Sequence, residues 1–183
     1  DELEGLGGAD SLVGGDGADT VSYAHAATGV VSSLTTVFSA GPVVTQTNDA
    51  AGDTYSGIEN MRGSAHGDTL IGSSGNNRID GASGDDVLEG MGGGDILVGG
   101  DGTDTASYVH AVSAVAVSLT TSLSDFSPQG DAVDDTFSSI ENLTGSDFND
   151  TLIGDAQNNV IVGGAGDDVF EGMAGNDTLD GGT

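Results

Sequence analysis

Cysteine, lysine and tryptophan are absent from this chain of 183 residues, and its only basic side chains besides three histidines are Arg62 and Arg78. Without cysteine there is neither a disulfide framework nor a thiolate metal site. Without lysine, glycine runs such as GMGGGD at Gly90 cannot be phosphate-binding P-loops. No GxSxG nucleophile elbow and no HExxH zinc motif occurs. The longest apolar run, around Val112 to Val117, is too short and too interrupted by serine to span a bilayer, so no membrane insertion is expected. The opening residues DELEG carry no initiating Met and no signal region, and the chain reads as an excerpt from a longer polypeptide.

What the chain has in quantity is acid and glycine. Thirty acidic residues give a formal charge of −28, and 33 glycines carry backbone freedom that is costly to freeze. Left uncompensated, that charge predicts disorder. Nucleic acid and anionic membranes carry the same sign and are excluded as natural partners, whereas cations are favoured. Hydrophobic residues make up 36% of the chain, much of it Ala and Val, which suits a thin, elongated core.

From Gly63 the sequence cuts every nine residues into GSAHGDTLI, GSSGNNRID, GASGDDVLE, GMGGGDILV and GGDGTDTAS. The frame restarts at Gly145 as GSDFNDTLI, GDAQNNVIV, GGAGDDVFE and GMAGNDTLD, and the N-terminus holds DELE, GLGGADSLV and GGDGADTVS. Sixth in these twelve units stand Asp1, Asp10, Asp19, Asp68, Asn77, Asp86, Asp95, Asp104, Asp150, Asn159, Asp168 and Asp177. The eighth place is always apolar, from Leu3 to Leu179, and is expected to be core.

A longer period overlies the short one. GGDGADTVSYAHAA at Gly14 returns as GGDGTDTASYVHAV at Gly99, 85 residues on. Two modules follow: residues 1–98, with repeats 1–22 and 63–98 around an insertion at 23–62, and residues 99–183, with repeats 99–107 and 145–183 around an insertion at 108–144. Together they are expected to form one continuous solenoid. The insertions contain apolar alternations, TGVVSSLTTVF and VAVSLTTSL, and end in SGIENMRGS and SSIENLTGS. They are read as longer coils or flanking hairpins, with Ile58, Met61, Ile140 and Leu143 pointing inward.

Places seven to nine form a short strand with one inward side chain, and the other six residues reverse the chain, so two units make a coil. Sixth-place acids two units apart then stack about 4.8 Å apart, where bare carboxylates repel by about 1 to 4 kcal/mol per pair. A divalent cation between them reverses that sign. Calcium, which takes six to eight oxygens in flexible geometry, suits carboxylates and turn carbonyls; zinc and copper would want nitrogen or sulfur. Carboxylates are too many, and no pair sits in an apolar pocket, for acid–base catalysis to be singled out, and no enzyme is expected.

GGDGADTVS, GGDGTDTAS and GGAGDDVFE resemble the GGxGxDxUx nonapeptide of the RTX (repeats-in-toxin) calcium-binding family, where U is a large apolar residue. The resemblance implies an all-β fold, a parallel β-roll (β-solenoid) of such repeats with two longer non-repeat insertions. It implies calcium ions held by the twelve sixth-place residues and by carbonyls of loop glycines Gly15, Gly17, Gly84, Gly93, Gly100, Gly102, Gly164, Gly166 and Gly175. The paired ligands would be Asp1 with Asp19, Asp68 with Asp86, Asp86 with Asp104, Asn77 with Asp95, Asp150 with Asp168, and Asn159 with Asp177; Asp10 lacks a partner within its own array. Asn77 and Asn159 would make weaker sites, and His66, Phe148 and Gln157 stand where the family has its fourth-place glycine. Asp16, Asp85, Asp101 and Asp167 are expected to be solvated, and His25 and His110 to be structural beside Tyr23 and Tyr108.

The resemblance further implies a calcium-folded, structural and secretion-supporting part of a larger bacterial protein, secreted by a type I system or held at the cell surface, whose other domains would be its partners. The alternative is an adhesin, surface-coat or polysaccharide-binding module, as in an alginate epimerase. Its sugar contacts would be sought at Tyr23, Phe38, Tyr55, Tyr108, Phe126 and Phe137, expected to be exposed.

Overall fold

The computed structural model describes residues 1–35, 41–42, 44–120 and 126–183. Most strands are three residues long, and those of the repeat arrays cover places seven to nine of a nonapeptide, as Thr69–Ile71, Val87–Glu89 and Thr151–Ile153 do. Glycine-rich turns keep most of them short, and only Arg78–Ser83 and Ile96–Asp101, among the described residues, run on through the first-place glycine to six residues. Strands eighteen residues apart pair in parallel, Leu70 beside Leu88, Ile79 beside Leu97, and Leu152 beside Phe170. The fold is therefore a parallel β-roll with two nonapeptides per coil.

Two long sheets carry the roll. One runs Glu2–Leu3, Thr20–Ser22, Asn60–Arg62, Arg78–Ser83, Ile96–Asp101, Thr136–Ser138; the other runs Val31–Ser33, Thr69–Ile71, Val87–Glu89, Thr105–Ser107, Asn142–Thr144, Val160–Val162, Thr178–Asp180. Shorter sheets join Ser11–Val13 to Thr54–Ser56, and Ala116–Ser118 to Thr151–Ile153 and Val169–Glu171. Between the sheets lies one core, to which most three-residue strands contribute their middle side chain. Val21, Leu70, Ile79, Leu88, Leu97, Ala106, Leu152 and Ile161 are fully buried. The eighth-place stripe is not core throughout: Leu179, in the last coil, is 48% exposed because no further coil lies over it.

The insertions are longer coils of the same roll. Asn60–Arg62 lies between Thr20–Ser22 and the start of Arg78–Ser83, and Asn142–Thr144 lies between Thr105–Ser107 and Val160–Val162. Ile58, Met61, Ile140 and Leu143 point into the core. Each insertion also makes an excursion, closed by an antiparallel bridge, Val31 to Thr47 in the first and Ala116 to Gln129 in the second, and followed by a 3-10 turn, Asn48–Ala50 or Gly130–Ala132. The parts of the two apolar alternations at 36–38 and 121–123 lie outside the described residues.

Candidate metal centre

The turns at the ends of the strands set the sixth-place residues in columns. Asp68 N–H donates to Asp86 Oδ1 at 2.8 Å, Asp86 N–H to Asp104 Oδ1 at 2.8 Å, Asp150 N–H to Asp168 Oδ1 at 2.9 Å, Asn77 N–H to Asp95 Oδ1 at 2.7 Å and Asn159 N–H to Asp177 Oδ1 at 3.0 Å. The Asp1 nitrogen stands 2.5 Å from Asp19 Oδ1. All six pairs drawn from the resemblance are thus neighbours. Asp19, Asp68, Asn77, Asp86, Asp95, Asp104, Asp150 and Asn159 are at most 4% exposed.

Turns of two kinds come in runs along the roll, with the closed kind opening the arrays at Ser64 and Ser73 and at Ser146 and Asp155. In the open kind the second-place residue is left-handed, as Gly15, Ala82, Met91, Gly100 and Gly164 are. There the second carboxylate oxygen of the sixth-place acid has no partner: Oδ2 of Asp10, Asp19, Asp86, Asp95, Asp104 and Asp168 is buried and unbonded. The nine loop glycines implied as carbonyl donors all have positive φ, from 101° at Gly15 to 147° at Gly102. In the closed kind the second place is Ser64, Ser73, Ser146 or Asp155, and its N–H donates to Asp68, Asn77, Asp150 or Asn159 at 2.6 to 2.9 Å. Its side chain also accepts the fourth-place N–H, at His66, Gly75, Phe148 and Gln157. No fourth-place residue in a closed turn is left-handed, so His66, Phe148 and Gln157 take the place of glycine without strain.

The first-place glycine completes the cradle. A Cβ on Gly81 would overlap Asp86 Oδ2 and come within 2.8 Å of Gly99 O in the next coil. A carboxylate oxygen and a carbonyl oxygen therefore border the space that glycine leaves. Burial pushes Asp86 up to about 7, helped by the charges of Asp68 and Asp104, and burial pushes Asp95 up to about 7, helped by Asp135 and Asp131. These carboxylates are desolvated without a counter-charge, and a buried polar atom without a partner is costly. A hard cation fits that deficit. Among the described residues no three His, Cys, Asp or Glu side chains converge on one point, so any ion here draws on pairs of acids and on carbonyls, a donor set calcium accepts and zinc does not.

Sequence reasoning missed four acids. Asp10, without a partner in its own array, donates its N–H to Asp53 at 2.9 Å, Asp19 to Glu59 at 3.0 Å, Asp95 to Asp135 at 2.8 Å and Asp104 to Glu141 at 2.9 Å. The signal was present in D-T-Y-S and D-T-F-S, which repeat the end of a nonapeptide. The asparagines also acquire a reason. Asn77 Nδ2 donates to Glu59 O at 2.6 Å and Asn159 Nδ2 to Glu141 O at 2.7 Å; a carboxylate there would face a carbonyl with nothing to donate. An outer row exists as well: Asp85, exposed as expected, accepts Thr103 N–H at 2.9 Å, and Asp167 donates its N–H to Asn149 at 3.0 Å.

Of the aromatic residues proposed as sugar contacts, none of the described ones is exposed. Tyr23 and Tyr108 are 1% exposed and hydrogen-bond to Asp53 and Asp135; Tyr55, Phe126 and Phe137 are half-buried; Phe38 lies outside the described residues. The insertions turn Tyr23, Tyr55, Tyr108 and Phe137 against the core. At His25 and His110 the ring Nδ1 meets a ninth-place glutamate, Glu4 at 2.7 Å or Glu89 at 2.6 Å.

The RTX calcium-binding nonapeptide repeat (4 copies) matches residues 1–23, 53–88, 62–97, 71–106, 135–170 and 144–179. These matches cover well over half of the chain, which belongs to that family and is a calcium-binding β-roll. No curated protein matches it. Among the described residues no helix is long and apolar enough to cross a membrane.

Proposed function

We propose that this chain is a calcium-dependent folding module of a larger bacterial protein that leaves the cell by type I secretion and works outside it or at its surface. Its two modules, 1–98 and 99–183, form one continuous solenoid. At low cytosolic calcium the acid columns repel and the chain stays extended for export; at millimolar calcium outside, ions enter the open turns and the roll winds up. The twelve sixth-place residues and the carbonyls of Gly15, Gly17, Gly84, Gly93, Gly100, Gly102, Gly164, Gly166 and Gly175 line the ion path, with the strongest sites where a left-handed second place leaves an acid oxygen free. The module's work is structural rather than catalytic. The observation that carries this reading is the set of six buried carboxylate oxygens without a partner.

Ions that bind the folded state alone stabilise it by mass action, about 2.7 kcal/mol per site at a hundredfold excess over Kd. Circular dichroism of the chain during a calcium titration tests this. A cooperative gain of β signal with calcium, reversed by chelator and not reproduced by magnesium, is the expected result. A roll that persists unchanged in chelator at neutral pH would overturn it.

A further inference from the structure

Four of the six unpartnered carboxylate oxygens, those of Asp10, Asp19, Asp95 and Asp104, belong to units whose next coil is supplied by an insertion. If only nonapeptides bound ions, the side that each of these four turns toward the next coil would meet no array residue, although Asp19, Asp95 and Asp104 have array partners in the coil before. The facing residues are Asp53, Glu59, Asp135 and Glu141, none of which stands in a GGxGxD turn: Asp53 to Glu59 and Asp135 to Glu141 are each six residues apart, too close for a nonapeptide.

We infer that the insertions carry ion-binding acids of their own, so that Asp53, Glu59, Asp135 and Glu141 complete calcium sites with Asp10, Asp19, Asp95 and Asp104. The inference rests on the calcium reading of the arrays. Each of the four acids repeats the contact made inside an array, accepting the sixth-place N–H of the preceding coil, as Asp104 does from Asp86. That contact uses one lone pair of one oxygen, and an ionised carboxylate has about four acceptor positions, leaving room for a cation. Asp19, Asp95 and Asp104 are at most 1% exposed, so water does not satisfy their free oxygens.

The carbonyl half of the cradle is rebuilt too. In the array, Gly99 O borders the space beside Gly81 together with Asp86 Oδ2. At the insertions, Ser139 O borders the space beside Gly99 together with Asp104 Oδ2, and Gly57 O borders the space beside Gly14 together with the Asp19 side chain. Gly57 and Ser139 hold φ of 61° and 52°, and these left-handed turns bring the carbonyls into place. A serine in that conformation is uncommon and persists where the surroundings demand it. One coil further on, the Asn77 and Asn159 amides bind the Glu59 and Glu141 carbonyls directly, so each glutamate has an ion on one side and an amide on the other.

Equilibrium dialysis of the full chain, counting calcium per chain at saturation, tests this with two paired variants, Asp53→Asn with Asp135→Asn and Glu59→Gln with Glu141→Gln. An amide keeps the oxygen that accepts the backbone N–H but is a poorer calcium ligand, so each pair should lose about two ions per chain while the circular dichroism at saturating calcium stays that of the parent. Asp86→Asn with Asp168→Asn is the array control. If the parent binds no calcium, the calcium reading itself falls; if the control loses ions and the insertion variants keep the full number, the inference is overturned. Should the variants not fold, terbium replaces calcium on the parent chain. The three tyrosines all lie at the insertions, with Tyr23 and Tyr108 bonded to Asp53 and Asp135 at 3.2 and 2.8 Å. Terbium in these sites gives strong emission when tyrosine is excited, and terbium-loaded protein without sensitised emission rules the sites out.

Discussion

At Tyr23 the first insertion gathers hydroxyls; at Tyr108 the second makes do with a single bond. Tyr23 donates to Asp53, touches the Tyr55 hydroxyl and accepts from Ser32, while Gln46 donates to Tyr55 at 3.0 Å. In the second copy the positions of Ser32, Gln46 and Tyr55 are taken by Val117, Pro128 and Phe137, and among the described residues the Tyr108 hydroxyl bonds to Asp135 alone, at 2.8 Å. What both copies hold is the phenol on the acid of the insertion. The surrounding polarity is negotiable because either set fills the same widened coil.

The histidines differ in the opposite sense. His25 is 77% exposed beside Glu4, whereas the His110 and Glu89 side chains are 2% and 4% exposed. The cover comes from Gly41 and Pro42 of the first copy: Pro42 O stands 2.7 Å from His110 Nε2. One local pair is a surface contact in one copy and part of an intermodule packing in the other.

Removing ions from both copies should give the largest effect, and its pH dependence is signed. Asp86 and Asp95 are pushed up to about 7 and Asp135 to about 6, all mainly by burial. Above the unfolded carboxylate range near 4 the folded state binds more protons than the unfolded one, so ion-free stability is greatest at acid pH and is lost as pH rises through about 7. In chelator, the β signal should therefore grow on acidification from pH 7 to pH 4, and Asp135→Asn should weaken the second module's share. A pH-independent signal contradicts this.

Next comes the buried contact of His110 with Glu89. Glu89→Ala strips both acceptors from the His110 ring and backbone N–H and should cost about 3 to 5 kcal/mol in urea unfolding at saturating calcium, against about 0 to 1 kcal/mol for Glu4→Ala. Equal losses would mean that the cover by residues 41–42 does not hold in solution. Tyr108→Phe leaves Asp135 Oδ2 without its donor and should cost about 1 to 3 kcal/mol; Tyr23→Phe, with Tyr55 still beside it, should cost about 1 kcal/mol. The smallest effect, of opposite sign in the two copies, is expected at the left-handed turns. Ser139→Gly relieves a strained φ and should gain about 1 kcal/mol, whereas Gly57→Ala adds strain and should lose about 1 kcal/mol or more, read as shifts in thermal midpoint.

The roll was legible in the sequence because its period is also its geometry. Leu70 and Leu88, eighteen residues apart, are read as stacked and are stacked. The sixth-place pairs were legible for the same reason. Asp53 and Asp135 were legible only from the nonapeptide ending that follows them, and Glu59 and Glu141 were not, since the six-residue spacing breaks the frame that identifies the others. The exposed aromatics were misjudged because a ring near a loop gives no sign of which way a longer coil turns it.

The sequence alone determined the nine-residue turn, the coil of two units, the acid columns and the need for a divalent cation, because strict repetition turns every local rule into a global one. Only the tertiary structure decided which acids keep a free oxygen, why Asn77 and Asn159 are amides, and why His110 is buried while His25 is not. Those outcomes depend on the direction in which a backbone N–H or carbonyl points and on which segment packs over which, and such directions are set by neighbours distant in the chain.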